Sequence, residues 1–151
     1  HNPHNNVIHL LPNDNRLLKL FHCPLAKSWG GDYIFSLILF FDQNNVWMKF
    51  GFGNITESKE KEVNAQLKTR LYNEMYDFDV FKKQIGKKFH FQMHPKNPLK
   101  DYTGVAGIRL FDDEDFAMSE QSFNEFFNEK FEQINTMLIQ PWVDECLEKL
   151  N

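Results

Sequence analysis

Hydrophobic and polar positions alternate most clearly over residues 33–41. Tyr33, Phe35, Leu37, Leu39 and Phe41 take one side, and Ile34, Ile38 and Phe40 with Ser36 take the other. Because both sides are apolar, the pattern predicts a central strand covered on both faces for much of its length. Asp42-Gln43-Asn44-Asn45 supplies turn chemistry, and Val46, Met48, Phe50 and Phe52 then alternate with Trp47, Lys49 and Gly51 in a returning strand. A helix over about 57–76 follows, with Thr56 as its cap and Val63, Leu67, Leu71 and Met75 as its buried stripe. Lys59, Lys61, Lys68, Arg70 and Glu74 fall off that stripe. A shorter apolar stretch runs from Phe78 to Ile85 and stops at Gly86.

A second hairpin is predicted next. Phe89, Phe91 and Met93 face one way and Lys88, His90, Gln92 and His94 the other, and a proline-containing loop leads to Val105–Phe111. Ser119 caps a last helix whose predicted buried stripe is Phe123, Phe127, Phe131, Ile134 and Leu138. Pro141 predicts a kink or a new helix start, which leaves Trp142 as a candidate partner surface beside a fully buried Phe127. The order is ββαββα: an α+β domain over 17–151, an antiparallel sheet of two hairpins with helices on one face and a long C-terminal helix. Residues 1–16, with Pro3, Pro12 and Asn13-Asp14-Asn15, read as a loosely ordered lead-in holding at most a short strand near Val7–Leu11, and 17–21 fit a strand or a helical turn equally well.

Composition narrows the function classes without naming one. The 151 residues carry a net charge of −4, which gives no global pull toward nucleic acid or membranes. The longest apolar run is too short to span a bilayer. Two cysteines, Cys23 and Cys146, make neither a disulfide framework nor a four-ligand zinc site and are expected in the core. Sixteen phenylalanines predict a core built on aromatic packing. The chain begins at His1 without an initiator methionine or a signal-peptide pattern, so a domain of a larger, cytoplasmic protein is expected.

Charge is segregated along the chain. Residues 82–111 hold seven basic residues and one acid, and residues 112–151 hold two basic and eleven acidic ones. One reading makes the basic hairpin a nucleic-acid surface through Lys87, Lys88, His90, His94, Lys96, Lys100 and Tyr102. The blander reading lets basic hairpin and acidic helix neutralise each other. His90 and His94 lie roughly 13 Å apart at strand rise, too far to share a metal, and read as solvent-facing. Asp112–Asp115 reads as a solvated turn that caps the acidic helix. Glu57-Ser58-Lys59 matches an acid-x-lysine nuclease element in letters, but it opens a helix rather than lying on a strand. No catalytic residue, metal ligand or cofactor site is assigned.

The Trp29–Phe52 hairpin, the charged helix, the Lys87–Phe111 hairpin with its acidic exit and the Phe-rich last helix resemble, in pattern, the C-terminal region of some bacterial PD-(D/E)XK nuclease-superfamily proteins. Such proteins are associated with restriction and phage defence. The resemblance covers about residues 28–150 and includes no diagnostic motif. It implies a noncatalytic accessory or interaction domain whose partner is a protein or the rest of a larger chain. Nucleic-acid binding through the basic hairpin is the alternative, and a small-ligand pocket lined by Trp47 and Phe127 is a third.

Overall fold

Five antiparallel strands form one open sheet in the order β1-β2-β3-β5-β4. They are β1 (Val7–Leu10), β2 (Phe35–Phe41), β3 (Val46–Phe52), β4 (Phe91–Met93) and β5 (Thr103–Phe111). The helices are α1 (Asn15–Phe21), α2 (Lys61–Tyr76), α3 (Asp79–Gln84), α4 (Asp113–Phe116), α5 (Glu120–Ile134) and α6 (Gln140–Lys149), with a π-helical turn at Asn135–Ile139 joining the last two. The computed structural model describes residues 7–23, 32–42, 45–55, 60–85, 90–117 and 119–151. Thr56, Glu57, Lys59, Gly86, Lys87, Lys88 and Phe89, named above, lie outside the described residues, as does Trp29.

The α+β class and the antiparallel sheet stand, but the chain is not a plain ββαββα. Val7–Leu10 is an edge strand, pairing Val7 with Phe40 and Leu10 with Leu37, so this part of the lead-in belongs to the sheet. Asp14 then caps α1 by accepting from the Arg16 backbone N–H, which resolves 17–21 as helix.

Register sorts the side chains by face. Phe35, Leu37 and Leu39 on β2 lie opposite Phe52, Phe50 and Met48 on β3, and Phe50 and Met48 lie opposite Ala106 and Ile108 on β5. This face takes the helices. Trp142 of α6 packs its ring 5.3 Å from both Phe35 and Phe50, Phe21 of α1 stacks on Phe35 at 4.6 Å, and Phe81 of α3 meets Phe50 at 5.0 Å. Tyr72 of α2 meets Phe52. These rings are all fully buried, each removing a large apolar area from water.

Two predicted stripes shift. On α2, Val63 is exposed and the buried face is Asn64, Lys68, Leu71, Tyr72 and Met75. Lys68 tolerates burial because its ammonium donates to the carbonyls of Lys100 and Asp101, both at 2.7 Å. On the last helix, Ile134 and Leu138 are buried as expected, but Phe127 and Phe131 are 36% and 38% exposed, whereas Trp142 is 0% exposed. Trp142 is therefore core, not a partner surface. The π turn accounts for Trp142, which follows it, whereas Phe127 and Phe131 precede it. It adds a residue to the turn before Pro141, with the Gln140 N–H reaching back to Asn135, and this carries the chain past proline without a break and rotates Trp142 inward.

Candidate functional site

The other face of the sheet is built from the alternate positions. They are Val7 and His9 on β1, Ser36, Ile38 and Phe40 on β2, Trp47, Lys49 and Gly51 on β3, and Gly104, Gly107 and Arg109 on β5. Gln92 on β4 pairs with Gly107 and shares this side. Among the described residues, the aromatic contacts of the helices all go to the opposite face or to Phe111 at the end of β5. Among the described residues no helix ring packs on this face, and β2 is nevertheless covered on both sides for much of its length, with Ser36 buried and Ile38 and Phe40 half-buried. Lys49 lies over the Phe40 ring, 4.7 Å from its centre, and Phe40, Trp47 and Ile38 are half-buried. The His9 ring shares a 3.0 Å hydrogen bond with the Ser36 hydroxyl.

His94 lies across this face. Its backbone N–H extends the β4 ladder by donating to Val105, and its ring rests on two glycines. A Cβ on Gly104 would sit 2.9 Å from the His94 ring, and one on Gly107 would sit 3.3 Å from Nε2, so the bare backbone makes room for the imidazole. Nε2 is buried without a hydrogen-bond partner. Burial, then the nearby Lys49 and Lys100 charges, hold the His94 pKa below its ordinary value. His94 is therefore not simply solvent-facing, although His90 is exposed.

The remaining predicted residues divide. Lys49, His94 and Lys100 share one electrostatic neighbourhood, and the alternation that sends Gln92 and His94 away from Phe91 and Met93 is observed. Lys96 instead turns toward α2, over the Tyr76 ring. Tyr102 is half exposed just before β5. Among the described residues, the basic segment makes no ion pair with α5 or α6. The pairs there are Arg109 with Asp112 and Lys149 with Glu145, both local, and Lys149 with Asp79, which ties α6 to α3. Sequence reasoning gave Trp47 only as the lining of a pocket shared with Phe127 and missed Lys49. The interruption of an apolar strand by Lys49 and Gly51 was the available signal.

Other arrangements offer less chemistry. Asp112–Asp115 forms a capping box, Asp112 accepting from the Glu114 and Asp115 backbones and Asp115 accepting from that of Asp112. A groove of about 440 Å³ between α3 and α6 is lined by Asp79, Lys83, Asp144, Glu145 and Lys149. Its best-placed carboxylate, Glu145, is occupied in accepting the Asp79 and Val80 backbone N–H groups. Trp47 and Phe127 cannot line one pocket, because Phe127 stacks on Phe111, which pairs with Val46 on the helix side. No group of three or more His, Cys, Asp or Glu among the described residues is arranged to hold a metal ion. Nor is any helix among them long and apolar enough to cross a membrane.

No family model, curated protein or solved structure matches the chain.

Proposed function

We propose that this chain is a noncatalytic accessory domain that holds single-stranded nucleic acid on the helix-free face of its sheet. The observation that carries the reading is the make-up of that face. Its strand positions bring Lys49 and Arg109 together with the aromatic rings of Phe40 and Trp47, and include no carboxylate, in a chain whose net charge is −4. Single strands are bound by two recurring features, a cationic track for phosphates and aromatic rings on which bases stack. His94 lies beside Lys49 on the same face, seated on Gly104 and Gly107. The pattern resemblance to accessory regions of nuclease-superfamily proteins agrees with a binding role without chemistry.

Fluorescence anisotropy with labelled single-stranded DNA and RNA, each compared with its duplex at low salt, tests the reading. Single strands bind more tightly than duplexes, and affinity falls as salt rises. Absence of binding at low salt, or preference for duplex, contradicts it. Magnesium-dependent cleavage of either strand would contradict the noncatalytic part.

A further inference from the structure

A second surface lies on the helix side of the sheet, at the end where β2 and β3 turn. Ile8 and Leu10 on the edge strand are 49% and 41% exposed, and Phe41 at the end of β2 is 37% exposed. Register puts Phe41, Val46 and Phe111 side by side on this face. Phe127 of α5 stacks flat on Phe111 at 5.3 Å, and Phe131 packs 4.5 Å from Phe127. Of the fifteen residues of α5, Ile134 alone is buried. Phe127 and Phe131 thus form one wall of an apolar shelf whose floor is Ile8, Leu10 and Phe41.

The shelf has a definite width. β1 lies three strand spacings from β5, or about 14 Å. Helices pack about 8–10 Å apart, so with α5 seated against the end of β5, the strip over β1 and β2 is one helix wide. α1 and α6 occupy the other end of the same strands, through Phe21 and Trp142 on Phe35.

Charge selects the occupant. α5 carries Glu120, Glu125, Glu129 and Glu132, and its one basic residue, Lys130, lies over the Phe111 and Phe126 rings. A second copy of α5 would bring like charges together, and an anionic lipid surface would be repelled for the same reason. A strand added at the β1 edge would leave Phe127 and Phe131 uncovered. We propose that the shelf formed by Ile8, Leu10, Phe41, Phe127 and Phe131 docks a basic amphipathic helix from a protein partner. Its apolar stripe meets the exposed rings, and its lysines or arginines meet Glu120, seven residues before Phe127 on the same side of α5, and Glu132 at the flank of Phe131.

The probe is a labelled synthetic helix of about 18 residues, with leucines at amphipathic spacing and lysines on the flanks, set against the same peptide with glutamates for lysines. The lysine peptide binds at least about tenfold more tightly, and Phe127→Asp and Leu10→Asp each weaken it about tenfold, whereas Trp47→Ala leaves it unchanged. Thermal melting confirms that each variant is folded, and Phe131→Asp replaces any that is not. Equal affinity for the two peptides, no binding of the lysine peptide, or binding insensitive to the shelf variants would overturn the proposal. So would a concentration-dependent dimer, seen by sedimentation, that Phe127→Asp abolishes. Because Trp47 lies on the opposite face, failure here leaves the nucleic-acid reading standing, and the reverse also holds.

Discussion

The side-chain amide of Gln84 donates a 3.0 Å hydrogen bond to the backbone carbonyl of Met137. Met137 is four residues before Pro141, and in a regular helix its carbonyl would accept from residue 141, which has no N–H to give. Gln84 is 4% exposed, so a residue from α3 satisfies the acceptor that proline leaves open. Gln84→Ala strands that carbonyl and should cost about 1–3 kcal/mol in urea unfolding. In a Pro141→Ala background the restored N–H competes for the same acceptor, so the cost of Gln84→Ala should shrink. Equal costs in both backgrounds would show that the two residues are independent.

Trp142 and Phe127 exchange the roles that stripe periodicity assigns them. Trp142→Ala opens a cavity between Phe35, Phe50 and Phe21 and should cost about 3–5 kcal/mol. Phe127→Ala removes a ring that water already reaches and should cost less than about half of that. Thermal unfolding of the two variants orders them directly.

How much of this was legible from sequence differs by element. The β2–β3 pair announced itself because strict alternation and a polar turn agree. The Ser119 cap was also readable, and Ser119 does accept from the Ser122 backbone. The α2 stripe was misjudged at Val63 and Lys68, since no local pattern tells a lysine that two loop carbonyls more than thirty residues away will receive it. The π turn before Pro141 leaves no mark on a 3.6-residue period, so the inward direction of Trp142 could not be read from the stripe, although Cys146 is buried as expected. The helix-free face was hidden because Ile38 and Phe40 look like core. Only the tertiary register shows that their partners on β3 are Lys49 and Trp47.

Lys68 anchors the loop between β4 and β5. Burial lowers its pKa to about 8, with Asp101 opposing the shift. Lys68→Met keeps most of the stem and leaves the Lys100 and Asp101 carbonyls without their donor, so a loss of about 1–3 kcal/mol is expected. Faster amide exchange over 95–102 would localise the effect to this loop.

His94 and His9 both have pKa values lowered by burial. The unfolded chain therefore binds protons first, and stability is full above the unfolded histidine value of about 6.5 and declines as pH falls through it toward the lower folded values. Urea midpoints measured at successive pH values should show this decline, and His94→Gln should flatten part of it. A midpoint that rises on acidification would contradict the buried imidazole.

Burial, assisted by the neighbouring Glu145 charge, pushes the Cys146 thiol far above its ordinary pKa. Cys146 should resist alkylation in the native protein and react only on unfolding, as mass spectrometry of the labelled peptide would show.

The most direct test of the account is the salt dependence of single-strand binding for wild type, Lys49→Gln and Trp47→Ala. A phosphate contact by Lys49 predicts weaker binding and a slope of log affinity against log salt that is shallower by about 0.7 in Lys49→Gln. Base stacking on Trp47 predicts a loss of about 1–3 kcal/mol in Trp47→Ala with the slope unchanged. If both variants bind as wild type does, with the same slope, the helix-free face is not where nucleic acid sits.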